Sequence, residues 1–127
     1  MTRDEYPGAA TRTPAESPEL RRLRRRIDLL DRRIVRLLNE RAELARTVGR
    51  EKAASGRRAV RDPEREREVL LRVSMANAGP TPQADLLAIY RRLFAVARSL
   101  EQRDRRRAGR DGSGTAARAD RTPRDGG

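Results

Sequence analysis

The chain has no histidine, no cysteine and no tryptophan, and its aromatic side chains are Tyr6, Tyr90 and Phe94. Without imidazole or thiol there is no zinc centre of the usual nitrogen and sulfur kind, no thiol nucleophile, no Ser-His-Asp relay and no disulfide. Three rings are too few for the stacking platforms that grip single-stranded nucleic acid. Long hydrophobic runs are missing as well. No stretch approaches the ~20 apolar residues of a membrane span, and the opening residues lack the apolar run of an export signal. We therefore expect a soluble, cytoplasmic protein with no membrane contact. Any site must run on arginine, carboxylates, amides and one lysine.

What is abundant is arginine. The 127 residues carry 31 Lys+Arg against 19 Asp+Glu, a net charge of +12, and Lys52 is the one lysine among them. Such a balance would fit a partner of nucleic acid or of an anionic surface, so its distribution matters. Residues 1–18 are rich in Pro, Thr and Ala and carry a net −1, whereas 19–102 carry +9 and 103–127 carry +4. From about residue 104 large apolar side chains almost vanish and Gly, Arg and Asp dominate. We expect one domain at 19–103 between two disordered tails, 1–18 and a basic 104–127.

Within that domain the periodicity is helical. Ser17-Pro18-Glu19 supplies a cap, a proline for the first turn and an acid beside it. Leu20, Leu23, Ile27, Leu30, Ile34 and Leu37 then follow at alternating spacings of three and four, and the series resumes at Leu44 and Val48. With no proline from 19 to 62, this first helix is predicted to run to about Ala54, where Ser55-Gly56 ends it. Asp62-Pro63-Glu64 opens a second helix, which should stop at Asn77-Ala78-Gly79-Pro80. A third opens at Thr81-Pro82 and carries apolar residues on more than one face, which predicts it to be the most buried. No segment alternates with period two. The fold class is all-α, with three helices per chain, one of them very long. A rod of about 50 Å with a seam along its length is too long for two shorter helices to cover. A second copy of the same helix is the simplest cover, and an intertwined homodimeric bundle is the expected assembly.

Arg41 interrupts the seam, four residues after Leu37 and three before Leu44. A charge there costs on the order of several kcal/mol unless an anion meets it. Glu40 or Glu43 could do so, or the side chain could reach out to water along its stem. Lys52 follows about three turns later on a similar side, so the two cations could share a ligand. Asp62, Arg65 and Glu66 open the second helix, where capping and i,i+4 pairing account for them unless they form a wall of the same pocket.

The string LRRRIDLLDRRIVRLLNERAELARTVGREK at 23–52, followed by VRDPERERE at 60–68, resembles the all-helical class of chorismate mutase. The similarity covers about residues 20–102 and implies an intertwined dimer of three-helix chains acting in chorismate metabolism, the shikimate route to aromatic amino acids. It also implies roles. Arg24 would reach into the partner chain's site to hold one carboxylate of chorismate, while Arg41 and Arg65 hold carboxylates from within the same subunit. Lys52 would bond the ether oxygen, and Glu66 with the Asp62 backbone would bond the ring hydroxyl. On the third helix Ala97 falls where the family often has a serine that contacts a carboxylate. Glu101 falls where a glutamine often donates to the ether oxygen, and an ionised Glu cannot donate. A register shifted by one would present Gln102 instead. The implied reaction converts chorismate to prephenate without nucleophile, metal or cofactor. The same scaffold could act on 4-amino-4-deoxychorismate or remove pyruvate from isochorismate. A basic nucleic-acid-binding module is the contrasting reading, and it gives no reason for Arg41 to lie on the seam.

Overall fold

The computed structural model describes residues 14–57 and 60–119, with side chains described as far as residue 112. Three helices account for most of them: α1 (Pro18–Ala54), α2 (Pro63–Ala76) and α3 (Gln83–Ala119). No strand occurs among the described residues, in agreement with the all-α expectation. The chain divides into two units, one ending at Leu38 and the other beginning at Asn39, so that α1 contributes to both.

The first unit is the N-terminal part of α1. Ser17 caps it through Oγ, which accepts from the Leu20 N–H at 3.1 Å, and through its carbonyl, which accepts from the Arg21 N–H at 3.0 Å. Glu19 in the first turn pairs with Arg22, and Arg24 pairs with Glu16. Most of the expected tail at 1–18 lies outside the described residues.

The second unit holds the C-terminal part of α1, with α2 packed on α3. Helix α1 closes in a Schellman motif: the Gly56 N–H donates to the Ala53 carbonyl and the Arg57 N–H to the Lys52 carbonyl, at 3.1 and 2.9 Å. Gly56 sits at φ +81°, a conformation that the missing Cβ makes cheap. Asp62 caps α2 by accepting from the Arg65 N–H at 3.2 Å, with Pro63 at the first helical position. After α2, Asn77 organises the turn. Its side-chain N–H groups donate to the Thr81 carbonyl and to Gln83, and its Oδ1 accepts from the Gly79 N–H.

Helix α3 departs from expectation in length. Composition implied that order ends near residue 104, yet α3 runs on to Ala119. Arginine and alanine are good helix formers, and two contacts tie the continuation down. Arg46 of α1 grips Asp104, and Arg105 donates to the Arg57 carbonyl at 3.1 Å. Residues 120–127 of the expected tail lie outside the described residues.

Burial is scarce. Among described side chains only Phe94 and Glu101, at 6% and 7% exposure, are buried, and both belong to α3. The seam series Leu20 to Val48 remains 39–67% exposed in the single chain.

Candidate active site

The C-terminal turns of α1, the start of α2 and the middle of α3 surround a cavity of about 280 Å³. From α1 come Arg41 and Lys52, with Leu44, Ala45 and Val48 as apolar floor; from α2 and the residues before it, Asp62, Arg65, Glu66 and Val69; from α3, Phe94, Ala97, Arg98 and Glu101. Seven of the residues singled out in the sequence thus share one cavity: Arg41, Lys52, Asp62, Arg65, Glu66, Ala97 and Glu101. Arg24 is not among the lining residues. It belongs to the first unit, exposed and paired with Glu16.

The partners of these charges define what the cavity can take. Arg41 stands over an edge-to-face aromatic pair, its guanidinium carbon 5.8 Å from the centre of the Tyr90 ring and 5.6 Å from that of Phe94. Ring quadrupoles soften its desolvation without neutralising it. The alternative partner Glu43 is engaged by Arg46 at 3.0 Å, and among the described residues Arg41 makes no ion pair. Neither does Lys52, whose charge acts on Glu101 from the last turn of α1. The acids, by contrast, are largely committed. Asp62 is spent on the α2 cap, and Glu66 accepts from Arg98 at 2.5 Å across the α2–α3 contact. Arg65, which lines the cavity, also faces Glu68 at 3.4 Å.

Glu101 is the exception among the acids. One of its carboxylate oxygens is buried with no hydrogen-bond partner, and burial raises its pKa above the ordinary carboxyl value. Asp104 pushes the same way, against Lys52 and Arg105. Gly49 makes room for it, since a Cβ there would stand 2.7 Å from Glu101 Cγ. Gln102 is exposed and lines no part of the cavity, so the register places Glu101 at the site.

Arg98 is the charged lining residue that was not singled out from the sequence. It was legible in part: Phe94, Ala97, Arg98 and Glu101 fall on one helical face. Its pairing with Glu66 depends on how α2 packs on α3, which no spacing reveals.

The cavity brings together two cations that make no ion pair among the described residues and one buried acid whose pKa is raised by burial, a lining suited to small anions. Comparison with known proteins makes the class specific. Residues 23–102 match the model of the chorismate mutase type II family. The chain is 40% identical over 89 residues to a bifunctional chorismate mutase/prephenate dehydratase of Aquifex aeolicus, covering 67% of this chain and 24% of that protein. A protein of the same description from Stutzerimonas stutzeri is 38% identical over 92 residues, covering 69% and 25%. The chain thus spans about a quarter of the length of these curated relatives. Among solved structures, form II of the chorismate mutase from Thermus thermophilus superposes with a TM-score of 0.64 at 33% identity, covering 67% of this chain and 96% of that one. The chain belongs to the chorismate mutase type II family.

Proposed function

We propose that this chain is an isomerase that converts chorismate to prephenate in the cavity bounded by Arg41, Lys52 and Glu101, serving aromatic amino acid biosynthesis. The observation that carries the reading is the pair of cations, Arg41 and Lys52, that line this cavity and make no ion pair among the described residues. The rearrangement is unimolecular: the ether C–O bond breaks as a C–C bond forms, and no group on the protein is consumed. The protein must hold a dianion in its compact conformer and stabilise negative charge growing on the ether oxygen.

Arg41 and Arg65 hold the carboxylates, for which the guanidinium fork is suited. Lys52 donates to the ether oxygen. Protonated Glu101 supplies the second donor, and the burial of a carboxyl oxygen that has no hydrogen-bond partner favours that form. Each donor contributes about 2–4 kcal/mol to the transition state. Glu66 keeps one oxygen for the ring hydroxyl while Arg98 occupies the other, with the Asp62 backbone beside it. Ala97 adds surface and no hydrogen bond. The active domain spans residues 19–103 and works as an intertwined homodimer, in which a second copy covers the exposed seam of α1 and Arg24 enters the partner's cavity. Covering the open half of each seam residue contributes about 1 kcal/mol per side chain.

Incubation with chorismate, 4-amino-4-deoxychorismate and isochorismate, following prephenate, its amino analogue and salicylate, tests the substrate. Lys52→Ala should lower kcat on chorismate by about 10²–10³ with helicity retained. A change smaller than about threefold would remove the chemical reading. Sedimentation that finds only monomer at working concentration would remove the shared site.

A further inference from the structure

The family match ends at residue 102, and α3 continues beyond it. Two residues past that limit, Asp104 receives two bonds from Arg46 of α1, from Nε at 3.0 Å and from Nη2 at 2.9 Å. The fork is geometrically fixed, because Nη1 of the same guanidinium donates to Glu43 at 3.0 Å. Asp104 lies three residues after Glu101, so the two carboxyl groups share a face of α3. Both line a second cavity of about 210 Å³, together with Arg46, Gly49 and Arg105. Glu101 is the residue common to this cavity and the first.

We propose that Asp104, clamped as an anion by Arg46, is a positioning residue that keeps the Glu101 carboxyl in its proton-donating form at the site. The proposal rests on the reading of Glu101 as a donor. A carboxylate held by two guanidinium bonds stays ionised, and the Arg46 bonds hold Asp104 below the ordinary carboxyl range. A second negative charge one turn away is then disfavoured. The Asp104 charge adds to the effect of burial on Glu101 and is the smallest of the influences on it. Lys52 from α1 and Arg105 from α3 oppose it, and Arg105 is anchored on the Arg57 carbonyl. From α2, the Glu66 charge is met by Arg98, Arg65 faces Glu68, and Asp62 is used as a cap. Arg41 of α1 lines the first cavity with Glu101, and Arg50 of α1 lines the second beside Arg46; in that second cavity Asp104 is the acid that accompanies Glu101.

The test is a ¹³C NMR titration of the Glu101 carboxyl in the full chain, assigned by its loss in Glu101→Gln, for wild type and Asp104→Asn. The midpoint should move to lower pH in Asp104→Asn and stay in place in Asp104→Glu. On chorismate, the ratio of kcat at about pH 5.5 to kcat at about pH 7.5 should rise threefold or more in Asp104→Asn. In a Glu101→Gln background the same substitution should leave that ratio unchanged. An unmoved midpoint, or a loss of rate equal at both pH values and in both backgrounds, overturns the proposal. If Asp104→Asn does not fold, the double variant Arg46→Met, Asp104→Leu removes the pair, leaves Glu43 to water at 65% exposure, and carries the same expectation. A chain that consumes no chorismate would count against the proposed activity, while the titration would still decide the role of Asp104.

Discussion

Replacing Gly49 with alanine sets two effects of known size against each other. In a helix interior, alanine is favoured over glycine by about 0.5–1 kcal/mol, so an unobstructed position gains stability. Gly49 is obstructed: the new Cβ would lie 2.7 Å from Glu101 Cγ and 3.0 Å from its Cδ. Ordinary carbon contacts begin near about 3.5 Å, so Glu101 or α3 must retreat by roughly 0.8 Å. Glu101 is buried between the two cavities it lines, so its carboxyl must shift into one of them and leave its present packing; overpacking should cost about 1–3 kcal/mol and outweigh the helical gain. The expected outcome is a net loss of up to about 2 kcal/mol in urea unfolding. A fall in kcat on chorismate of about tenfold to a hundredfold should accompany it, because a donor displaced by nearly an ångström no longer meets the ether oxygen. Gly109 provides the control. A Cβ there meets nothing within 4 Å, so Gly109→Ala should stabilise the chain and leave kcat alone. A Gly49→Ala chain as stable as Gly109→Ala, or one that loses stability with full turnover, would refute the overpacking at Glu101.

The buried Glu101 sets a pH dependence whose sign is fixed. Its pKa is raised in the folded chain, so the donor is lost and activity falls as pH rises through the folded value; Glu101→Gln should flatten the profile and raise the rate at pH 7.5. The same shift bears on stability: the favourable contribution is present below the ordinary Glu value and disappears as pH rises, so Glu101→Gln should gain stability over wild type on the alkaline side in thermal melts. Asp62→Ala removes the α2 cap and should cost about 1 kcal/mol, a fall of several degrees in Tm. An unchanged Tm would mean that the cap does not hold the segment carrying Arg65 and Glu66.

Much of the fold is written in local chemistry. The three- and four-residue spacings, Ser17, Asp62 with Pro63, and Gly56 define where α1 and α2 begin and where α1 ends, because each acts within a turn of its own position. Arg41 declares itself for the same reason, as a charge in an apolar series, and the lone Lys52 is visible by count. The end of α3 was not legible: composition argues against order past 104, and the contacts set against it, Arg46 to Asp104 and Arg105 to the Arg57 carbonyl, span 58 and 48 residues of sequence.

Periodicity and side-chain chemistry are enough to establish the helical class, the seam and the residue types able to hold an anion. Which of those residues meet is a matter of packing. The seating of α2 on α3 commits Glu66 to Arg98, and the close approach of α3 at Gly49 buries Glu101 while leaving Gln102 in solvent. Whether a carboxyl is an acceptor or a donor depends on its desolvation and on the charges around it, and those are properties of neighbours brought together by folding.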